Sequence, residues 1–399
     1  MKKNIEKTLC CFIIAVHCLI SGATFTLEPL EPSQNLVDQL REASPGDLVD
    51  VDFSPVPSNR LLNYSPDQLD DAGGSLIYSD NPETALECGI LYQDTLPAGD
   101  QRLYIYHVNG TSQSAKITAV LENAGAGKAN VGYTRKALPS PSGNYIQIGR
   151  QGVKQFYENS IFPSDLILET GEKALLDPEL DNLAVTKNQL VGGIYEYHSD
   201  QDMKVTIAML PRETDTLSVI DTLEFAENDG YQRQGTFSDY SRLNAEDYVY
   251  NTSHGIKAFR VAAPSGHWYT DPPMEGVDAE TGEASILLGN YGVTYRIATD
   301  AAFDDHRSLA LLVNPRGGYY GGYFRTSVNR GVFQGRMVPE VQATIPDHNR
   351  AGVIDVIPPA SENQRIVIEF IPAGASPLPF DIWLVPFSEE VKETGWMLY

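Results

Sequence analysis

A chain of 399 residues that is 42% hydrophobic and 21% charged has the apolar content to fill packed cores, which excludes wholesale disorder. Its length fits two or three domains. A formal net charge of −24, from 53 acidic and 29 basic side chains, repels phosphate backbones and anionic bilayers and so argues against nucleic acid as a partner.

Residues 1–23 read as an export signal. Lys2, Lys3 and Lys7 precede the apolar stretch Leu9 to Ile20, broken only by His17, and Ser21-Gly22-Ala23 offers small residues at a cleavage site. The apolar run is too short to span a bilayer. The expected location is secreted or associated with the cell envelope, with no transmembrane segment after cleavage. Cys10, Cys11 and Cys18 would leave with the signal, so Cys88 has no disulfide partner and is expected as a small buried residue.

Residues 24–73 are acidic and proline-rich and read as an extended tether. Within them only Asn35 to Glu42 has a helical pattern, with Leu36, Val37 and Leu40 on one face. From residue 74 to 212 short strands follow one another, including Leu76 to Tyr78, Gly89 to Tyr92, Gln101 to Val108, Ala115 to Leu121, Asn130 to Arg135, Asn144 to Ile148, Leu190 to Tyr197 and Lys204 to Leu210. A short helix is predicted near Val153 to Asn159, and Asn109-Gly110 is a hairpin signal. Leu103 and Ile105 alternate with Tyr104, Tyr106 and Val108, so both faces of that strand are expected to be covered. Strands at this spacing without a long amphipathic helix predict an antiparallel β-sandwich. Residues 213–284 form an intervening β-rich segment, 285–390 a second sandwich and 391–399 a tail.

The second half repeats the order of the first. Tyr104 to Asn109 matches Tyr295 to Asp300 at a spacing of 191, and at the same spacing Leu121 meets Leu312 and Asn123 meets Asn314. Tyr133-Thr-Arg135 then meets Tyr323-Phe-Arg325, and Gly149-Arg150 meets Gly335-Arg336. The expected architecture is therefore all-β, two tandem duplicated antiparallel β-sandwiches with an intervening β-rich segment. Leu309 to Arg325, with its glycine-tyrosine turn, reads as the central hairpin of the second copy.

The catalytic survey is negative at the level of local motifs. The sequence has no G-x-S-x-G, no H-E-x-x-H, no phosphate-binding glycine loop with lysine, and no dinucleotide fingerprint. Its histidines are dispersed, without metal-ligand spacing. Two aromatic clusters are candidate ligand contacts, because flat rings with polar tips suit sugar faces. They are Trp268 and Tyr269 in a proline-bounded loop, and Tyr319 and Tyr320 in the glycine turn. Asp278, Glu280 and Glu283 flank a glycine turn and could supply some of the oxygens that calcium requires, with Asp271 or Asp304-Asp305 adding others.

The runs Ser79-Asp-Asn-Pro-Glu83, Gly89-Ile-Leu-Tyr92, Arg102 to His107 with Asn109, Gly235-Thr-Phe237 and Gly289-Asn-Tyr-Gly-Val293 resemble uncharacterised secreted proteins of Gram-positive-type bacteria. Some of those proteins carry copper-amine-oxidase-like N-terminal modules. The resemblance implies no activity, and nothing here matches a copper or quinone-forming site. The expectation is a non-catalytic structural or adhesive protein outside the cell. Cell-wall glycan or an envelope protein would be its partner and calcium its one candidate cofactor. The alternative is a secreted polysaccharide-acting enzyme with a carboxylate pair between the sandwiches.

Overall fold

Period-two alternation builds four sheets that face one another in pairs. The computed structural model describes residues 28–52, 69–159, 165–231, 233–244, 248–263 and 271–389; the stretch read as an export signal and the tail lie outside them. Among the described residues no helix is long and apolar enough to cross a membrane. The fold is all-β, with two tandem sandwiches.

In the first sandwich a four-stranded sheet, ordered Lys173–Leu175, Ala115–Asn123, Met203–Pro211 and Gly89–Leu96, covers one face of a nine-stranded sheet. The centre of the larger sheet runs Ser75–Ser79, Gly99–Asn109, Leu190–Ser199 and Ala129–Ala137. Leu103, Ile105, Ile117, Leu121, Val205 and Ile207 fill the core between them. The alternate residues Tyr104, Tyr106 and Val108 are also buried, but toward the second sandwich.

In the second sandwich a five-stranded sheet runs Leu48–Asp50, Arg350–Ile357, Ser308–Pro315, Phe380–Phe387 and Lys257–Val261. Opposite lies a seven-stranded sheet built on Ser241–Asn244, Thr294–Ala302, Gln364–Phe370, Gly322–Val328 and Gln334–Val338. Tyr295, Ile297, Leu311, Phe324, Phe370 and Ile382 belong to its core.

The two sandwiches share one strand order. Ser75–Ser79 lies parallel to Gly99–Asn109, which continues to Leu190–Ser199, Ala129–Ala137 and Asp165–Leu168. Ser241–Asn244 likewise lies parallel to Thr294–Ala302, followed by Gln364–Phe370, Gly322–Val328 and Gln334–Val338. The copies also exchange strands. Leu69–Ala72, just ahead of Ser75–Ser79 in sequence, pairs with Ser241–Asn244 in the second sandwich. Gly235–Phe237, just ahead of Ser241–Asn244, pairs with Ser75–Ser79 in the first. The intervening segment is thus divided between the sandwiches. Its hairpin Met274–Val277 and Ala284–Leu287 extends the nine-stranded sheet, while Lys257–Val261 closes the five-stranded one.

Several expectations change at this level. Strands Gly99–Asn109 and Ala115–Asn123 lie in different sheets, and so do Ser308–Pro315 and Gly322–Val328. The predicted hairpins are therefore crossings from one sheet to the facing one; the Asn109-Gly110 crossing has its counterpart between Thr294–Ala302 and Ser308–Pro315, and the glycine-turn crossing has its counterpart between Ala115–Asn123 and Ala129–Ala137. The glycines of the second crossing serve close approach: a side chain at Gly317 would meet the Leu378 backbone at 2.3 Å.

Face by face, Tyr104 points to the junction while Tyr295 points into a core, so the spacing of 191 sets them out of phase. Arg102 and Arg296, each opposite a glutamate on the next strand, are the matching residues. Gly149-Arg150 is helical and Gly335-Arg336 is in a strand, so that match lapses.

The tether carries ordered structure. Helix α1 (Gln34–Glu42) is capped by Ser33, whose hydroxyl accepts from the Leu36 amide. Its Leu36, Val37 and Leu40 pack on the outer face of the five-stranded sheet against Leu312, Val353 and Trp383. Cys88 is exposed rather than buried.

Candidate functional site

Helix α2 (Tyr145–Glu158) lies at the junction of the sandwiches and carries the cleft that we take as the candidate site. It begins earlier than the sequence suggests because the Asn144 side chain accepts from the Gln147 amide, which turns the predicted strand Asn144 to Ile148 into a cap and first turn. Ile148, Val153 and Phe156 anchor it in the junction. A side chain at Gly149 would meet the Gly374 carbonyl oxygen at 2.1 Å, so only glycine lets the helix approach the second sandwich there.

On each side of α2 runs a row of arginine, glutamate and arginine across three neighbouring strands. In the first sandwich the row is Arg102, Glu196 and Arg135, and in the second it is Arg296, Glu369 and Arg325. Arg102 donates to Glu196 through Nε at 3.1 Å and through Nη2. Its Nη1 donates to Gly292 O at 2.8 Å and to Tyr240 O and Thr294 Oγ1 at 3.0 Å. Arg135 and Glu196 stand 4.0 Å apart.

The cleft, about 490 Å³, opens between the C-terminal end of α2, strand Ala129–Ala137 and the short helix α3 (Pro178–Asn182). That volume lies within the roughly 300–1,000 Å³ of small-ligand sites. A bulge opposite Glu196 and Tyr197 breaks the alternation of the strand. It turns Tyr133 toward the first core while Arg135 remains under α2.

Asp177 organises the far wall. It caps α3 by accepting from the Glu179 amide at 3.0 Å, accepts from Tyr195 Oη at 2.8 Å and pairs with Lys136 Nζ at 2.6 Å. Lys136 also reaches Glu179 at 2.7 Å, and Tyr133 Oη donates to Leu176 O at 2.7 Å.

Burial of Lys136 opposes its charge, yet the hydrogen bonds it donates to Asp177 and Glu179 outweigh it and hold the ammonium above its ordinary range. Burial, reinforced by Asp177, raises the Tyr195 phenol far above its ordinary value. Lys136 thus stays charged and Tyr195 stays neutral.

On the near wall, Gln155 Oε1 accepts from the Leu138 amide and Asn159 Nδ2 donates to Lys136 O at 3.2 Å. Gln155 Nε2 makes no hydrogen bond among the described residues. The Arg135 guanidinium lies 5.2 Å from the Phe156 ring centre and 5.9 Å from that of Tyr157.

The sequence-predicted residues do not gather around this cleft. Trp268 and Tyr269 lie outside the described residues. Tyr319 is exposed, and Tyr320 is fully buried, its ring 4.3 Å from Phe380 and 6.2 Å from Phe324. Strand alternation after the glycine turn drives Tyr320 inward, so it offers no face to a sugar.

Asp278 is buried, and its carboxylate accepts from the Glu280 amide while its backbone closes the turn with Glu283. Burial raises the Glu280 carboxyl, with Asp278 adding to the shift. Asp271 is committed to Arg242, Tyr295 and the Ala262 amide, while Asp305 is held by Thr252 and Arg307. Among the described residues no three histidine, cysteine, aspartate or glutamate side chains are grouped to hold a metal.

One arrangement resembles a nucleophile and its base: Ser79 Oγ lies 2.7 Å from His107 Nε2, and His107 Nδ1 lies 2.8 Å from Pro82 O. The carbonyl can only accept, so Nδ1 carries the proton and Ser79 donates to Nε2. Both residues are fully buried, and burial lowers the imidazole to about 4. The pair is a satisfied core contact.

No family model and no curated protein matches the chain. Solved structures with some likeness include a multicopper oxidase from Campylobacter jejuni, with 9% identity, 68% of this chain and 48% of that one covered, and a TM-score of 0.11. This chain thus spans about half the length of that oxidase. Vicilin from Corylus avellana (hazelnut) matches at 9% identity over 80% of this chain and 86% of its own, with a TM-score of 0.13. Vicilin from Solanum lycopersicum (tomato) gives 8% identity, 77% and 84% coverage, and 0.11. At these scores the likenesses carry no argument about fold or function.

Proposed function

We propose that the protein is a non-catalytic binding protein, exported or associated with the cell envelope, that contacts a glycan through the cleft at the end of α2. The observation that supports this reading is the division of labour among the cleft's polar groups. Asp177, Tyr195, Lys136 and Tyr133 bond to one another or to backbone and so hold a fixed wall, while Gln155, Glu179 and Arg135 keep donors and acceptors facing the opening. A pre-set wall with a few outward polar groups suits a hydroxyl-rich ligand. It also places recognition on loop and helix ends rather than in the fold itself. The two carboxylates that line the cleft, Asp177 and Glu179, are bridged by Lys136. That bridge favours binding over hydrolysis, which needs one carboxylate free to protonate a leaving group.

The test is titration of purified wall polysaccharide onto the folded chain and onto two variants. Glu179→Ala is expected to weaken retention and Tyr319→Ala to leave it unchanged. Retention that ignores Glu179 but is lost with Tyr319 would move the site to the glycine turn and overturn the reading.

A further inference from the structure

We infer that the cleft selects a glycan bearing a carboxylate, such as a uronic acid unit, and that Arg135 is the residue that reads the acid. The inference rests on the glycan reading above and specifies its substrate class. Its basis is the difference between the two arginine–glutamate–arginine rows.

In the second sandwich Glu369 accepts from Arg325 through both Nε, at 3.0 Å, and Nη2, while Arg296 stands off at 3.6 Å with half its side chain exposed. In the first sandwich the glutamate has changed allegiance. Arg102 takes Glu196 Oε2, and the Thr134 hydroxyl, shared between Glu196 O at 3.0 Å and Oε1 at 3.2 Å, stands beside the other oxygen. Arg135 is left at 4.0 Å from a carboxylate whose charge Arg102 already balances. It makes no hydrogen bond among the described residues. Its side chain is 36% exposed, and it lines the cleft.

The guanidinium is nevertheless held in place by the faces of Phe156 and Tyr157. A positioned, charged fork with unclaimed N–H donors fits a planar carboxylate, which accepts two of them side by side. Gln155 Nε2 stands on the same wall with its oxygen fixed by Leu138, so its donors also face the opening.

The other wall sets the charge of the ligand. Asp177 and Glu179 together carry two negative charges against the one positive charge of Lys136. Such a wall accepts donors from sugar hydroxyls through Glu179 and repels a dianion, so a singly charged sugar acid is favoured over a phosphate.

Calorimetric titration of the full chain with a trisaccharide carrying a single galacturonic acid unit and with its carboxyl-reduced counterpart tests this, because the probes differ only in the one acid group. The acidic trisaccharide should bind on the order of tenfold more tightly at low salt. Arg135→Gln should abolish the preference, with the larger loss falling on the acidic probe, and Arg135→Lys should retain part of it. Inorganic phosphate should fail to displace the acidic probe. Equal binding of the two probes, or a loss in Arg135→Gln that falls alike on both, would overturn the assignment of the acid while leaving the glycan reading in place. Displacement by phosphate would overturn it in favour of a general anion site. Binding of neither probe would overturn both readings. Melting curves of the variants, expected to match the parent within a few degrees, exclude unfolding as the cause.

Discussion

The two sandwiches share a strand order and differ most on the outer faces of their smaller sheets. On the first, Lys116, Thr118, Glu122, Lys204 and Thr206 point outward, and Val120, Ala208 and Leu175 form a small apolar spot covered by Ile220 and Leu223. On the second, the corresponding face presents Ala310, Leu312, Val353, Trp383 and Val385, all buried beneath α1, while the strand Leu48–Asp50 that follows α1 adds to the edge of the same sheet. One copy solves its exterior with charge, and the other borrows a segment from the opposite end of the chain. Duplicated topology therefore leaves the outward positions free to diverge, because strand order depends on the inward ones.

The largest effect should come from lifting that cover. Leu36 and Leu40 are 0% and 1% exposed. Leu36→Asp with Leu40→Asp places two charges on an apolar face and is expected to cost about 5 kcal/mol or more. A lowered urea midpoint with red-shifted emission from Trp383 would record it. Leu223→Asp, at the edge of the first outer face, should cost only about 1 kcal/mol. Equal losses would erase the contrast between the faces.

The charged solution has its own keystone. Lys116 Nζ pairs with Asp181 at 2.8 Å, and both side chains are largely buried. The Thr216 hydroxyl also donates to Asp181. Burial opposes the Asp181 charge, but Lys116 and Thr216 prevail and hold its carboxyl below the ordinary range. Asp181→Ala strands Lys116 and should cost about 3–5 kcal/mol, whereas Lys116→Met combined with Asp181→Leu should recover most of the loss. Thermal unfolding of the single and double variants decides it, and a double variant as weak as the single one would speak against the pair.

Acid separates the copies next. His107 is held neutral in the first sandwich with its imidazole lowered to about 4, while the in-phase position of the second is the apolar Ala301. An unfolded histidine titrates near 6.5, so between that value and about 4 the unfolded chain binds the extra proton. Stability is complete above about pH 6.5 and is lost as pH falls toward 4, by about 3 kcal/mol at most. Chemical denaturation at pH 7 and pH 4.5, with hydrogen exchange to assign the loss, should show the first sandwich opening before the second. His107→Gln should flatten this part of the pH profile.

These contrasts also show what the sequence can reveal. Inward alternation in Leu103, Ile105, Ile117 and Leu121 is a local property, and it made the strands and the sandwich class legible. The match of Arg135 with Arg325 was readable for the same reason. The partner of each strand was not, since Asn109-Gly110 signals a reversal without saying whether the chain returns in its own sheet or crosses to the facing one. Helix α1 was visible as a stripe of Leu36, Val37 and Leu40, but the surface that receives it lies some 270 residues and more away in sequence. The cleft was least legible. Asp177, Glu179 and Lys136 meet only through the fold, and the bulge at Tyr197 that orients Tyr133 leaves no mark in composition.

The smallest effect sharpens the comparison at the junction. Arg325 is bonded twice to Glu369, which is 4% exposed, so Arg325→Gln leaves a buried carboxylate with Arg296 at 3.6 Å as its remaining cation. That should cost about 1–3 kcal/mol. Arg135→Gln removes only a 4.0 Å contact and some packing on Phe156, and should cost about 0.5 kcal/mol or less. Combining Glu196→Gln with Arg135→Gln and with Arg102→Gln, and Glu369→Gln with Arg325→Gln, probes the coupling: Arg102 should show a large interaction with Glu196, Arg325 with Glu369, and Arg135 almost none with Glu196. If Arg135 coupled to Glu196 as strongly as Arg325 does to Glu369, both rows would be structural, and the first sandwich would have no spare cation to turn toward the cleft.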